Sequence, residues 1–296
     1  MKLKMHLLAA VAAAALGAGS AHANLTLAGQ ANGNSSVAFV AMDDTGTVSL
    51  TVDLNASMTQ FLAGGNLGAA GTTASWNFAS NSFTVNGQVV AGSVNWTSPV
   101  ASFFANASVG SGYSWGVIAG DNTPAGVVNG QNLLFTSAVP DFDNSFATGI
   151  TGATLNNGSS NINDFYAANN GQGTNTATVH GAATATGGAG FLGQTLAAGV
   201  GDFGTGAFGT NNFLTSGSTS YFMWANSSFP SSIYALGAPN TLGSLIPAGA
   251  ALFAWDATNS TLTYTVPAVP EPGSYALMLA GLSVFGFIAN RRRNNR

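Results

Sequence analysis

The chain has 296 residues but few formal charges, six Lys and Arg against ten Asp and Glu, and it has no Cys. All six cations lie at the ends, as Lys2, Lys4, Arg291, Arg292, Arg293 and Arg296, so residues 24–270 carry nine Asp, one His and no positive side chain. This distribution excludes electrostatic nucleic-acid binding, which needs Lys and Arg against phosphates, and with it cation-based phosphate clamps, disulfides, thiolate zinc sites and cysteine nucleophiles.

Residues 1–23 have the three parts of a secretory signal. Lys2 and Lys4 supply the positive start, Leu7 to Leu16 is an apolar run, and Ala21 and Ala23 are the small residues that a signal peptidase reads. Cleavage after Ala23 makes Asn24 the mature N-terminus and removes His6 and His22.

Residues 24–266 read as a β-rich extracytoplasmic body. Thr47 to Leu54 alternates polar and apolar without a fault, as a half-buried strand does. Asn86-Gly87 between Ser82–Val85 and Gln88–Val90 predicts a hairpin. Tyr113, Trp115 and Val117 share one face of a further strand, and Tyr221–Trp224, Ile233–Leu236 and Thr261–Val266 add others. Glu, Lys and Arg, the strong helix formers, are missing from this region, whereas Gly, Thr, Ser and Asn abound. Asn169 to Asn212 reads as long loops. There is no internal repeat, so a calcium-binding glycine-rich solenoid is not predicted. The predicted fold class is all-β: a single antiparallel β-sandwich or jelly-roll-like domain with long Gly/Thr/Asn-rich loops, flanked by an N-terminal signal helix and a C-terminal transmembrane helix.

Candidate chemistry in the body is sparse. Gly112-Tyr113-Ser114-Trp115-Gly116 is a G-x-S-x-G, and Asp121, Asp141, Asp143 or Asp164 followed by His180 completes the order of a hydrolase triad. The residues after Gly116 cannot form the helix that supports such a serine, so a secreted serine hydrolase ranks last and no catalytic residue is assigned. Two G-x-G-x-x-G matches, from Gly188 and from Gly204, follow no strand and open no helix. Asp141 and Asp143, with Ser145, space oxygens as a calcium loop does, and the Asp43-Asp44 pair is similarly suggestive. Turn-forming carboxylates bonded to their own backbone are the favoured reading of both. Calcium is thus the one cofactor considered, and no metal ligand is assigned. His180 reads as a loop residue, and the Trp residues at 76, 96, 115, 224 and 255 read as packing before sugar-stacking platforms.

Residues 267–296 form a second tripartite signal. Val269-Pro270-Glu271-Pro272 precedes an uncharged segment, 274–290, that is followed at once by Arg291, Arg292 and Arg293. Counted from Gly273, the segment makes about 27 Å of helix, enough for a hydrocarbon core, and the arginines hold its end on the cytoplasmic side. Together with Ser274, Ala276-Leu277, Gly281-Leu282 and Gly286, these residues resemble the PEP-CTERM sorting signal. The resemblance implies a Gram-negative bacterial protein, processed near Pro-Glu-Pro by a membrane exosortase and associated with exopolysaccharide and biofilm. The expected function is that of an exported, non-enzymatic surface or matrix protein. The alternative is a carbohydrate-binding or adhesive module, with or without calcium.

Overall fold

The computed structural model describes residues 25–26, 34–62, 64–121, 132–137, 152–192, 214–226, 232–235, 251–268 and 282–283. In chain order the strands are β1 (Ser36–Asp43), β2 (Ser49–Ser57), β3 (Thr73–Asn77), β4 (Ser82–Val85), β5 (Gln88–Val89) and β6 (Val94–Asn95), then β7 (Tyr113–Asp121), β8 (Asn132–Ser137) and β9 (His180–Ala185). The remainder are β10 (Leu214–Thr215), β11 (Thr219–Asn226), β12 (Ser232–Ala235), β13 (Leu252–Asp256) and β14 (Thr261–Thr265). Helix α1 (Thr97–Asn106) lies between β6 and β7, and α2 (Gly152–Asn170) between β8 and β9.

The strands belong to one sheet in the order β5-β4-β3-β14-β13-β11-β8-β7-β1-β2-β9-β6, with β10 on β7 and β12 on β11 beside that path. Every pairing is antiparallel except β6 with β9. The sheet curls so that distant strands meet across its inner face. Phe39 on β1 contacts Phe78 just after β3 at 5.2 Å and Trp255 on β13 at 5.0 Å between ring centroids. Phe61, in the 3-10 turn after β2, contacts Phe222 on β11 and Tyr264 on β14. A bulge between β1 and β2, where Asn55 has a φ of 52°, sharpens the bend. Next to it, the indole N–H groups of Trp76 and Trp96 donate to the carbonyls of Leu54 and Asp53 at 2.8 and 3.0 Å, latching β3, from the far end of the sheet, and the start of the helix at Thr97 onto β2.

The expected all-β sandwich or jelly roll is therefore corrected to a mixed α/β fold: one curled sheet with, among the described residues, two helices against it. Helix α1 starts with Pro99 in its first turn, where proline is tolerated. The Asn81 Oδ1 accepts the N–H groups of Trp96 and Thr97 at 2.6 and 3.1 Å, satisfying donors that a helix start leaves open. Pro99, Val100 and Phe103 form its buried face. Helix α2 has poor intrinsic propensity and is made by tertiary contacts instead. Ser159, Ile162, Tyr166 and Asn169 are buried at alternating spacings of three and four along one stripe. The Tyr166 hydroxyl donates to the carbonyls of Ser36 and Ile118 on the outer face of β1 and β7. Gly120 of β7 lies 3.1 Å, measured from the position of an added Cβ, from the Ser159 backbone, so any larger residue there would push α2 off the sheet.

Among the described residues no helix is long and apolar enough to cross a membrane. Of segment 274–290 only Leu282 and Ser283 are described, and the signal at 1–23 lies outside the described residues altogether.

Candidate functional site

The Asp43-Asp44 pair is a structural turn. Asp43, the last residue of β1, is fully buried. Its carboxylate accepts the N–H groups of Thr47 and Val48 at 2.7 and 2.9 Å, the Thr47 hydroxyl at 2.8 Å, the Thr45 hydroxyl and the Ser108 N–H. Burial alone would raise its pKa, but the hydrogen bonds from Thr45, Val48 and Thr47 outweigh it and hold the carboxyl well below the usual carboxylate range. With its oxygens engaged by protein donors, Asp43 has no free coordination for calcium. Asp44 in turn accepts the Ser114 hydroxyl at 2.9 Å, and a Cβ at Gly112 would collide with that carboxylate.

The glycine and serine of the G-x-S-x-G thus serve a turn contact. Ser114 lies within β7, paired with Met42 of β1, and His180 opens β9, three strands away and toward the opposite end of the sheet. Strand spacing and rise put them on the order of 20 Å apart, beyond any proton transfer. Asp121 ends β7 and Asp164 is exposed on α2, while Asp141 and Asp143 lie outside the described residues. Among the described residues no three or more His, Cys, Asp or Glu side chains are grouped to hold a metal. Ser114→Ala is accordingly expected to cost about 1 kcal/mol in stability, through the lost bond to Asp44, which thermal melts of the two proteins would measure.

His180 is not a loop residue. Its Nδ1 lies 2.9 Å from Oδ2 of Asp53, a fully buried carboxylate on β2 that also accepts the Asn55 N–H at 3.0 Å. Burial and then the neighbouring Asp53 charge raise the Tyr166 phenol well above its ordinary pKa, so it remains a neutral donor. Tyr166 holds α2 on β1 and β7, while the His180–Asp53 pair ties β9 to β2. The one signal for it was Asp53 itself, a charged residue between Val52 and Leu54 in a strand that is buried on both faces.

The five tryptophans are 0–1 % exposed, so none offers a face to a sugar ring. A different concavity opens on the outer face, with a volume of about 640 Å³, between the β13–β14 hairpin and the turn joining β10 to β11. Asp256, Asn259, Thr261 and Thr263 line it, with Ala254 as its floor and Ser216-Gly217 as one wall. Asn259 donates its side-chain and backbone N–H groups to the Asp256 carboxylate, and these bonds lower the pKa of Asp256. Composition masked this site, since its residues are the commonest turn and strand types in the chain.

The C-terminal exit is fixed by backbone pairing. β14 is central, between β3 and β13. After it the Val266 N–H donates to Thr72 O at 2.8 Å, and Gly71 N–H donates to Val266 O at 3.0 Å. Val266 is 2 % exposed, and its side chain joins the core. Among the described residues the backbone pairing runs on to Pro267, whose carbonyl also accepts the Gly71 N–H at 3.4 Å. Residues 268–293 match the PEP-CTERM protein-sorting motif. The chain carries a PEP-CTERM tail. The matched interval begins one residue beyond Pro267 and contains Val269, Pro270, Glu271, Pro272 and Arg291–Arg293, of which the structure describes none. Comparison with curated proteins and with solved structures returned no match. The PEP-CTERM motif implies processing by an exosortase-type system and export to the cell surface or exterior.

Proposed function

We propose that the protein is a structural component of a Gram-negative exopolysaccharide or biofilm matrix, delivered there by exosortase processing. Signal peptidase removes residues 1–23 after Ala23. The apolar segment 274–290 and Arg291–Arg293 then hold the precursor at the inner membrane, and the exosortase acts near Val269-Pro270-Glu271-Pro272. The observation that carries this reading is the position of the sorting motif, which begins where the backbone leaves the sheet. A body without Lys or Arg, surfaced by Ser, Thr and Asn, suits a hydrated neutral matrix and avoids anionic polymers.

Cell fractionation tests the proposal. Wild-type protein is expected in the surface and matrix fractions, and a chain lacking Arg291–Arg296 is expected to disappear from them. Equal surface recovery of the two would overturn it. The second reading, a carbohydrate-binding module, is favoured by the outer-face groove.

A further inference from the structure

We infer that the groove between the β13–β14 hairpin and the β10–β11 turn binds a neutral polysaccharide strand, an inference that rests on the matrix reading above and gives it a site. Four strands contribute hydroxyls to one row across the outer face: Thr84, Ser75 and Thr263, then Ala254, then Thr219, each paired with the next. Ala254 is the only member without a hydroxyl and the smallest side chain, and the groove lies over it. A second row, Ser82, Asn77, Thr261 and Asp256, runs beside the first. Adjacent strands are about 4.8 Å apart, close to the length of one sugar residue in an extended glycan, and the gap at Ala254 spans two such spacings.

The hydrogen-bond state of the groove selects the ligand. Thr261 already donates to Asn259 O at 3.0 Å, and Thr263 donates to Ala254 O at 3.3 Å. A hydroxyl has one donor and two acceptor sites, so both side chains present lone pairs outward, with one on Thr261 taken by Asn77 Nδ2. Asp256 is acceptor-only and retains lone pairs beyond the two bonds from Asn259. The site is thus rich in acceptors and calls for a ligand rich in donors, which the hydroxyls of a sugar supply. A polyanionic glycan is disfavoured, because Asp256 would repel it and the body holds no cation to offset that repulsion. A cavity of about 640 Å³ falls within the usual range for small-ligand sites, and it is partly open to solvent.

The placement also fits the tether. Thr261 begins β14 and Thr265 ends it, just before the sorting tail, so the groove lies about 13 Å along the strand from the point of attachment. A body held by its C-terminus presents this end away from its anchor.

Affinity electrophoresis of the processed protein, purified from producing cells, tests the inference. Gels would contain hydroxyethyl cellulose, dextran or a galactomannan as neutral probes, and alginate as the polyanion. Retardation by at least one neutral glycan and none by alginate is expected. Ala254→Trp, which fills the floor, and Thr263→Val, which removes a hydroxyl, should each weaken retardation about tenfold, the equivalent of about 1.4 kcal/mol. Thr263→Val provides a second route should Ala254→Trp fail to fold, and melting curves report folding for both. Three results would overturn the inference: no neutral glycan retards the protein, alginate retards it as strongly, or both folded variants bind like wild type. Lost glycan binding with normal surface recovery would refute the groove alone. Glycan binding by a protein that never reaches the surface would refute the sorting proposal alone.

Discussion

Replacing Pro270, Glu271 and Pro272 together with alanine is expected to abolish C-terminal processing and leave an immunoblot band at precursor size, with the protein lost from the surface fraction. The expectation follows from how close the proposed cleavage region lies to the sheet. The chain is locked into the sheet as far as Val266, whose N–H and C=O are both paired and whose side chain is buried. From there to Glu271 five residues span at most about 17 Å. An enzyme acting at the proposed region would work close to the folded surface, on a segment whose two prolines disfavour helix. Alanines would free that segment to continue helically into 274–290 and would remove the only Glu of the chain. The melting temperature of the body is expected to be unchanged. A band of mature size in the triple variant would refute the proposed cleavage region, and a lowered melting temperature would refute the separation of body from tail.

The tail was legible in the sequence because its signal is linear: Pro-Glu-Pro, an apolar run and arginines need no folding to be seen. Parts of the sheet were legible for a similar reason. Thr47–Leu54 alternates locally, and Asn86-Gly87 takes the left-handed turn its residue types favour, with φ of 51° and 76°. What eluded sequence reasoning depends on partners far along the chain. Helix α2 has Ser159 and Asn169 within its buried stripe, which blurs the apolar period, and it is held by a sheet face assembled from β1, β7 and β8. His180 looks isolated until β9 joins β2 and brings it to Asp53, 127 positions earlier. The choice between two packed sheets and one curled sheet turned on β14 pairing with β3, a contact spanning nearly the whole body. The groove shares this origin, since its floor and walls come from separate strands.

Asp43→Ala is expected to be the most damaging single change to the turn at the end of β1, lowering stability by about 3 kcal/mol in chemical denaturation. The aspartate is buried and receives three backbone and two hydroxyl donors, so its removal strands the Val48 N–H inside the protein and leaves the others to find water. A domain whose total stability is roughly 5–15 kcal/mol would lose a large share of it. The same contacts set a pH dependence. The folded-state pKa of Asp43 is depressed below its unfolded value of 3.8, so the unfolded chain binds the proton more readily. Its contribution is therefore complete above about pH 5 and is lost as pH falls below 4 toward the folded pKa. The melting temperature of the wild type should drop between pH 5 and pH 2.5 by more than that of Asp43→Asn, which keeps the shape and cannot ionise. Parallel curves for the two proteins would show that the charge contributes nothing. Because Asp44 of the same turn accepts Ser114 on β7, loosening Asp43 should also detach the β1–β2 turn from β7, read as faster amide exchange at Asp44 and Gly46, whose N–H groups are bonded there.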